Sequence, residues 1–218
     1  MKSKKYILKN TGVFKGYSVF WLEKHIDNKS LYKDETIYIL NFKQITNYIA
    51  TRTIPDSCLT VRVNHAFAGS LKSMKKGDIV LSVVGRIDKI EALYVDFEPE
   101  EYIIYDDTSI IIRNENTDYN SEFIYMMFSR TSIKNKLLQQ RNLKKRKNAM
   151  PRLTIKILTD LEIPIPDEAE MKELLRIHHR LQEEEKKLVE RNMIYDKALD
   201  EYLGNAKIQI EELLHKIG

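Results

Sequence analysis

Residues 167–218, DEAEMKELLRIHHRLQEEEKKLVERNMIYDKALDEYLGNAKIQIEELLHKIG, contain no proline and two glycines, Gly204 and Gly218, and place leucine or tyrosine at every seventh position: Leu174, Leu181, Leu188, Tyr195 and Tyr202. This spacing predicts one long helix whose stripe needs a partner helix to cover it. At ~1.5 Å per residue, about fifty residues reach roughly 75 Å, the dimension of a measuring rod. Across the same seam lie Met171, His178, Glu185, Asn192, Leu199 and Ala206, and His178, Glu185 and Asn192 among them are polar. Polar seam residues cost stability but fix register and partner number, so the pattern points to a specific parallel or antiparallel pairing. Leu174, Leu181, Leu188, Tyr195, Leu199 and Tyr202 are the dimerisation residues it implies. A second stripe, Val189, Leu203, Ile210 and Ile217, widens the apolar surface toward the C-terminus, where the helix would touch more than one neighbour. Gly204-Asn205 offers a place to split the helix, although one glycine costs only ~1 kcal/mol there. The alternative for the whole segment is a helix folded back on its own domain.

Upstream of the helix the chain changes character. Residues 13–30 read as a helix or loop anchored by Phe14, Tyr17, Phe20 and Trp21. ETIYILNFKQI carries an apolar strand at 37–40, and Leu59, Val61 and Val63 alternate with polar neighbours as a second strand. A turn at Lys76-Gly77-Asp78 leads to a buried strand at 79–84, then a turn at Gly85 and a strand at 90–95. TSIIIRN adds another strand, and a helix capped by Ser121 is expected through Phe123, Met126, Met127, Ile133, Leu137 and Leu138. This helix delivers the chain into the basic loop RNLKKRKNAMPR, after which LTIKILTDLEIPIP forms a helical turn and an extended exit stopped by Pro164 and Pro166. The fold class is therefore α+β: a globular mixed α/β domain at 1–166, then a long coiled-coil helix at 167–218.

Charge is more informative in its placement than in its sum. The net charge is +4, yet residues 123–159 hold ten basic residues and no acidic one: Arg130, Lys134, Lys136, Arg141, Lys144, Lys145, Arg146, Lys147, Arg152 and Lys156. Residues 1–122 balance at seventeen of each sign, and residues from 160 onward carry nine basic against fifteen acidic. A basic block between a neutral domain and an acidic rod is a candidate polyanion contact, with a solvated surface run as the alternative. The leading contacts to double-stranded DNA are Arg141, Lys144, Lys145, Arg146, Lys147, Asn148 and Arg152. Arginine and asparagine specify bases by bidentate bonds to guanine and adenine edges, whereas lysine mainly sets affinity and its salt dependence. Lys75, Lys76, Arg86, Lys89 and Arg113, around the Gly77 and Gly85 turns, form a second tier.

Other chemistries find little support. No glycine-rich loop precedes Lys-Ser or Lys-Thr, and no Asn-Pro-Pro-aromatic stretch suggests an amino-methyltransferase. PDEAEMK has the composition of a metal-dependent nuclease motif, but its acids follow one another along a helix start, where the macrodipole explains them. Cys58 with His65 invites a thiol nucleophile, against the simpler reading of a small cysteine between strands. His178 and His179 point to different sides of a helix, which disfavours zinc. Tyr17, Phe20 and Trp21 at helical spacing fit a core better than base stacking. A lone cysteine, the lack of a long apolar run and an N-terminus without an apolar signal core fit a cytoplasmic protein.

The order LKSMKKGDIVLSVVG, aromatic-rich helix, polar loop, LTIKILTDLEIPIPDEAEMKELL resembles one half of the DNA-specificity subunit of type I restriction–modification systems. IYILNFKQI extends the likeness over nearly the whole chain, whereas Asp88 in GRIDKI stands where family members often carry a second glycine. The resemblance implies one target-recognition domain and one spacer helix where a full subunit has two of each. It also implies a non-catalytic protein that pairs with itself or with another half-length specificity chain and reads a bipartite inverted repeat. No cofactor would bind this chain; S-adenosylmethionine would sit on modification subunits that methylate adenine, with a restriction subunit in a complete system. The competing reading is an adaptor whose helix is the functional surface, or a DNA-binding protein acting alone.

Overall fold

The computed structural model describes residues 4–8, 12–25, 35–83, 90–114, 120–143 and 152–217, with the backbone alone at 4–7, 129, 143, 195–200 and 202–217. In chain order the elements are β1 (Lys4–Ile7), β2 (Gly12–Lys15), α1 (Val19–His25), β3 (Glu35–Leu40), α2 (Phe42–Thr51), β4 (Leu59–Val63), α3 (His65–Ser70), β5 (Ile79–Ser82), β6 (Ala92–Tyr94), β7 (Ile103–Tyr105), β8 (Ser109–Arg113), α4 (Ser121–Ser129), α5 (Thr131–Leu143), α6 (Ile155–Thr159), β9 (Glu162–Ile165) and α7 (Glu168–Ile217). The chain divides into two units, Met1–Asp167 and Glu168–Gly218.

The first unit is built on two larger sheets and one small one. Strands β2-β8-β5-β6 form an antiparallel sheet, and β4-β3-β7 form a second in which β3 runs antiparallel to β4 and parallel to β7. Runs such as IVLS and IIY are buried at every position, as strands covered on both faces must be. The first core contains Leu40, Ile45, Tyr48, Met74, Val80, Val95, Ile103, Tyr105 and Ile111. A second, around Leu22, Ile37, Ile39, Val63, Ala68, Leu71 and Ile104, seats α1 and α3 on β3, β4 and β7. The two large sheets touch where Tyr17 bridges Asp106, and this contact requires Gly16, because a β-carbon there would fall on the Asp106 carbonyl.

The apolar strand expected at 37–40 ends at Leu40 as read, because Asn41 caps α2: its side chain accepts from the Gln44 N–H, and Gln44 Oε1 accepts from the Asn41 N–H, both at 3.0 Å. Three expectations need correction. The segment at 13–30, where it is described, is not one element, since it begins in β2 and continues into α1; residues 26–30 lie outside the described residues. The helix expected from Ser121 is two helices, capped by Asn120 and interrupted at Arg130, whose backbone is extended. Finally, Pro164 does not end structure but lies in β9, whose partner β1 comes from the other end of the domain. Proline is tolerated on a strand whose N–H edge needs no partner.

The second unit is the single helix α7, helical through Gly204 and Asn205. Asp167, Glu168 and Glu170 stand at its start, with Glu168 paired to Lys172 one turn on at 2.7 Å, the expected service to the helix dipole. Among the described residues no helix is long and apolar enough to cross a membrane.

Candidate nucleic-acid interface

Strand β5 leads at one end from the Lys75-Lys76 turn and at the other into the stretch that carries Arg86 and Lys89. Its N-terminal end is the Lys75-Lys76-Gly77 turn, with Gly77 in the left-handed region at φ 89°. Gly77 N–H donates to the Val95 carbonyl at 2.8 Å and Val95 N–H to the Asp78 carbonyl at 3.0 Å, which pins the turn to β6. Beneath it Asp78 is fully buried and accepts from the Tyr105 hydroxyl at 2.6 Å, from Arg113 Nε at 2.8 Å and Nη2 at 2.7 Å, and from the Lys75 N–H at 3.0 Å. Arg113 also donates to the Ser73 carbonyl. Burial, with the Asp78 carboxylate beside it, pushes the Tyr105 hydroxyl well above its ordinary range, so it stays protonated and donates.

The surroundings of this turn are acidic. The Lys76 N–H donates to Glu98 at 3.2 Å, and a neighbouring open cleft is lined by Glu35, Glu98, Glu100 and Glu101 together with Tyr38, Ser73, Met74 and Tyr102. Lys75 and Lys76 are exposed but share this end with carboxylates that repel a phosphate backbone. Arg113, expected to reach DNA, is spent on Asp78: its side chain is 15% exposed and forked onto a buried carboxylate.

At the C-terminal end of β5 the feet of two basic stretches meet. Residues 84–89, which include Arg86 and Lys89, leave from Val83 and return at Ile90, where the Ser82 N–H donates to the Glu91 carbonyl at 3.1 Å. The stretch 144–151 leaves the end of α5 and returns at Arg152, and the next residue, Leu153, donates its N–H to the Val83 carbonyl at 3.0 Å. One hydrogen bond thus ties the foot of the first stretch to the foot of the second. Arg86, Lys89, Lys144, Lys145, Arg146, Lys147 and Asn148 themselves lie outside the described residues. Arg152 is exposed beside these feet, as is Lys156 in the following helix. Thr154 caps that helix by accepting from the Ile157 N–H at 3.4 Å, and buried Leu153, Ile157 and Leu158 hold it to the domain.

Arg141 is the clearest correction among the site residues. It is 1% exposed, on the face of α5 that also buries Ile133 and Leu137. Residues 133, 137 and 141 are four apart and share a helix face, so the same period that buries the two apolar residues buries the arginine. A side chain so enclosed does not present its guanidinium to a DNA groove.

The core position expected for Tyr17, Phe20 and Trp21 fails at Phe20 and Trp21, which are 66 and 39% exposed. Trp21 stacks on His25 at 4.2 Å and lies against Phe67 at 6.4 Å, while the Tyr17 hydroxyl accepts from the Lys72 N–H at 2.8 Å. Phe20 is 66% exposed beneath Lys24 Nζ at 4.2 Å. Cys58 and His65 lie beyond opposite ends of β4, about 20 Å apart at the rise of a strand, and His65 pairs with Glu35 at 2.8 Å. No cluster of metal-ligating side chains occurs among the described residues. On α7, Leu174, Leu181 and Leu188 are 41, 59 and 55% exposed, with Ile177 and Val189 also open; the side chains of Tyr195, Leu199 and Tyr202 lie outside the described residues.

Known structures share this architecture. The HsdS subunit from Thermoanaerobacter tengcongensis superposes with a TM-score of 0.56 at 16% identity over 85% of this chain and 43% of that one. A chain from a structure on complex assembly and conformational transition of the type I R-M system gives 0.50 at 14% identity over 84% of this chain and 44% of that one. No protein-family model and no curated protein matches the sequence. The mixed α/β fold with a long C-terminal helix is therefore the fold of the HsdS subunit, and the chain spans less than half the length of either chain it resembles.

Proposed function

We propose that this chain is a non-catalytic DNA-specificity protein of the type I restriction–modification kind, equivalent to one half of a full subunit. The observation that carries the reading is the extent of the shared fold: it takes in 85% of this chain but only 43% of the HsdS subunit. Its target-recognition domain reads double-stranded DNA at the C-terminal end of β5, where the stretches 84–89 and 144–151 have their feet. Lysines there neutralise phosphates, and Arg146, Asn148 and Arg152 are the residues whose side chains suit base edges. The exposed stripe of α7 pairs with a second copy or another half-length chain, so that two domains read an inverted repeat about a two-fold axis. Modification subunits carrying S-adenosylmethionine dock on this frame and methylate adenine, and a restriction subunit joins them in a complete system.

The test is the mass of the purified chain by light scattering, alone and with a type I modification subunit from the same organism. A dimer that binds two such subunits supports the reading, and sequencing of methylated adenines then gives the repeat. A monomer that ignores the methyltransferase removes it.

A further inference from the structure

On the described part of α7, Met171, His178, Glu185 and Asn192 alternate along the seam with Leu174, Leu181 and Leu188. One residue before seam positions, on one flank, lie Ile177, Glu184 and Arg191. In an antiparallel pair, seam residues of the first kind meet those of the second across the interface, and residues on this flank meet their own kind. The register then decides which charges face. One setting of the heptads places Glu184 against Glu184 of the second copy. Sliding by one heptad places each Glu184 against Arg191 of the second copy, and a further heptad places Arg191 against Arg191.

We propose that α7 pairs antiparallel with α7 of a second copy about an axis between Lys186 and Lys187, with Glu184 of each copy against Arg191 of the other. The inference rests on the dimer proposed above and names its register. In this setting Leu181 packs beside Asn192 of the second copy, and Leu188 beside Glu185. The like-charge registers on either side are disfavoured, which is how flanking charges select among heptad settings. Glu184 already pairs with Lys187 one turn on at 3.0 Å, but with the two side chains 59 and 55% exposed that contact is weak and yields to a partner across the seam.

Charge exchange in the full chain tests the register. Glu184→Lys alone sets lysine against arginine and Arg191→Glu alone sets glutamate against glutamate, so each variant raises the dissociation midpoint by about tenfold. The Glu184→Lys/Arg191→Glu double variant regains the wild-type midpoint, and an equal mixture of the two single variants forms a heterodimer tighter than either homodimer. Residues 184 and 191 are about 10 Å apart along one helix, so recovery in the mixture reports contact between chains. As a second measure, Leu181→Cys/Asn192→Cys on a Cys58→Ser background oxidises to a covalent dimer. If the wild type is dimeric but neither mixture nor double variant recovers, the register is wrong and the dimer stands. A wild type that is monomeric at every concentration overturns both.

Discussion

Arg141 and Arg152 lie eleven residues apart in one basic tract, and their environments assign them opposite roles. Truncating Arg141, 1% exposed against α5's own apolar face, is expected to lower unfolding free energy by about 2 kcal/mol or more, as removal of a buried long side chain does. Arg152→Ala, at an exposed position, is expected to leave urea unfolding unchanged and to weaken DNA binding. Comparing denaturation with a binding titration separates the two, and an Arg141→Ala protein of full stability and reduced affinity would return that residue to the interface. Asp78→Ala is expected to cost about 3 kcal/mol, because it leaves Arg113 without its buried partner. Asp106 tests the electrostatics differently. Burial raises its carboxyl above the ordinary range, against the hydrogen bonds it accepts from Thr108, including the N–H at 3.0 Å. A raised folded-state value means that the protonated acid suits the fold, so this stabilisation is present in acid and lost as pH rises through the carboxylate range. Asp106→Asn keeps an acceptor for Thr108 without the charge. Its stability relative to wild type should therefore increase from acid toward neutral pH, as thermal unfolding at several pH values will show.

At the scale of elements, what sequence reasoning reached depended on whether a signal was local. The buried strand β5, the turn at Gly77 and the long α7 all announce themselves within a few residues, by apolar runs, a glycine and a heptad stripe. Helix α2 was equally legible, since Asn41 and Gln44 have the spacing of a capping box, although only the strand at 37–40 was expected in this stretch. The burial of Arg141 could likewise be read from its distance of four and eight residues from Leu137 and Ile133. Long-range events leave no such trace. Nothing local in EIPI says that it pairs with residues 4–7, and nothing near Leu153 says that its N–H reaches Val83, although that bond unites the candidate interface. The salt dependence of DNA binding distinguishes the two ends of β5. Replacing Lys144, Lys145 and Lys147 with glutamine leaves up to three phosphates without a cation and should reduce the slope of log affinity against log salt by about 0.9 for each of them. The same exchange at Lys75 and Lys76, beside the Glu98 to Glu101 carboxylates, should leave the slope nearly unchanged.

For the whole molecule, the proposed function turns α7 into a ruler, and a ruler can be lengthened. If two copies pair antiparallel about a fixed point on this helix, the stretch between residue 167 and that point sets how far each recognition domain stands from the axis. Duplicating the heptad MKELLRI at 171–177 preserves the phase of the seam, because seven residues return the stripe to the same face. Each copy then gains about 10 Å on its own side of the axis, and the pair gains about 20 Å. Spread along B-DNA at ~3.4 Å per base pair, this is roughly six base pairs added to the unread spacer while both half-sites stay the same. An insertion of two residues instead rotates the apolar stripe by about 200°, away from its partner, and should abolish dimers rather than move the half-sites. Methylated-adenine sequencing of DNA modified by complexes of the wild-type and lengthened chains reads the spacer directly. An unchanged spacer with the seven-residue duplication would mean that the separation of the half-sites is set outside α7, and the long helix would then be a docking surface for the other subunits rather than the element that measures the site.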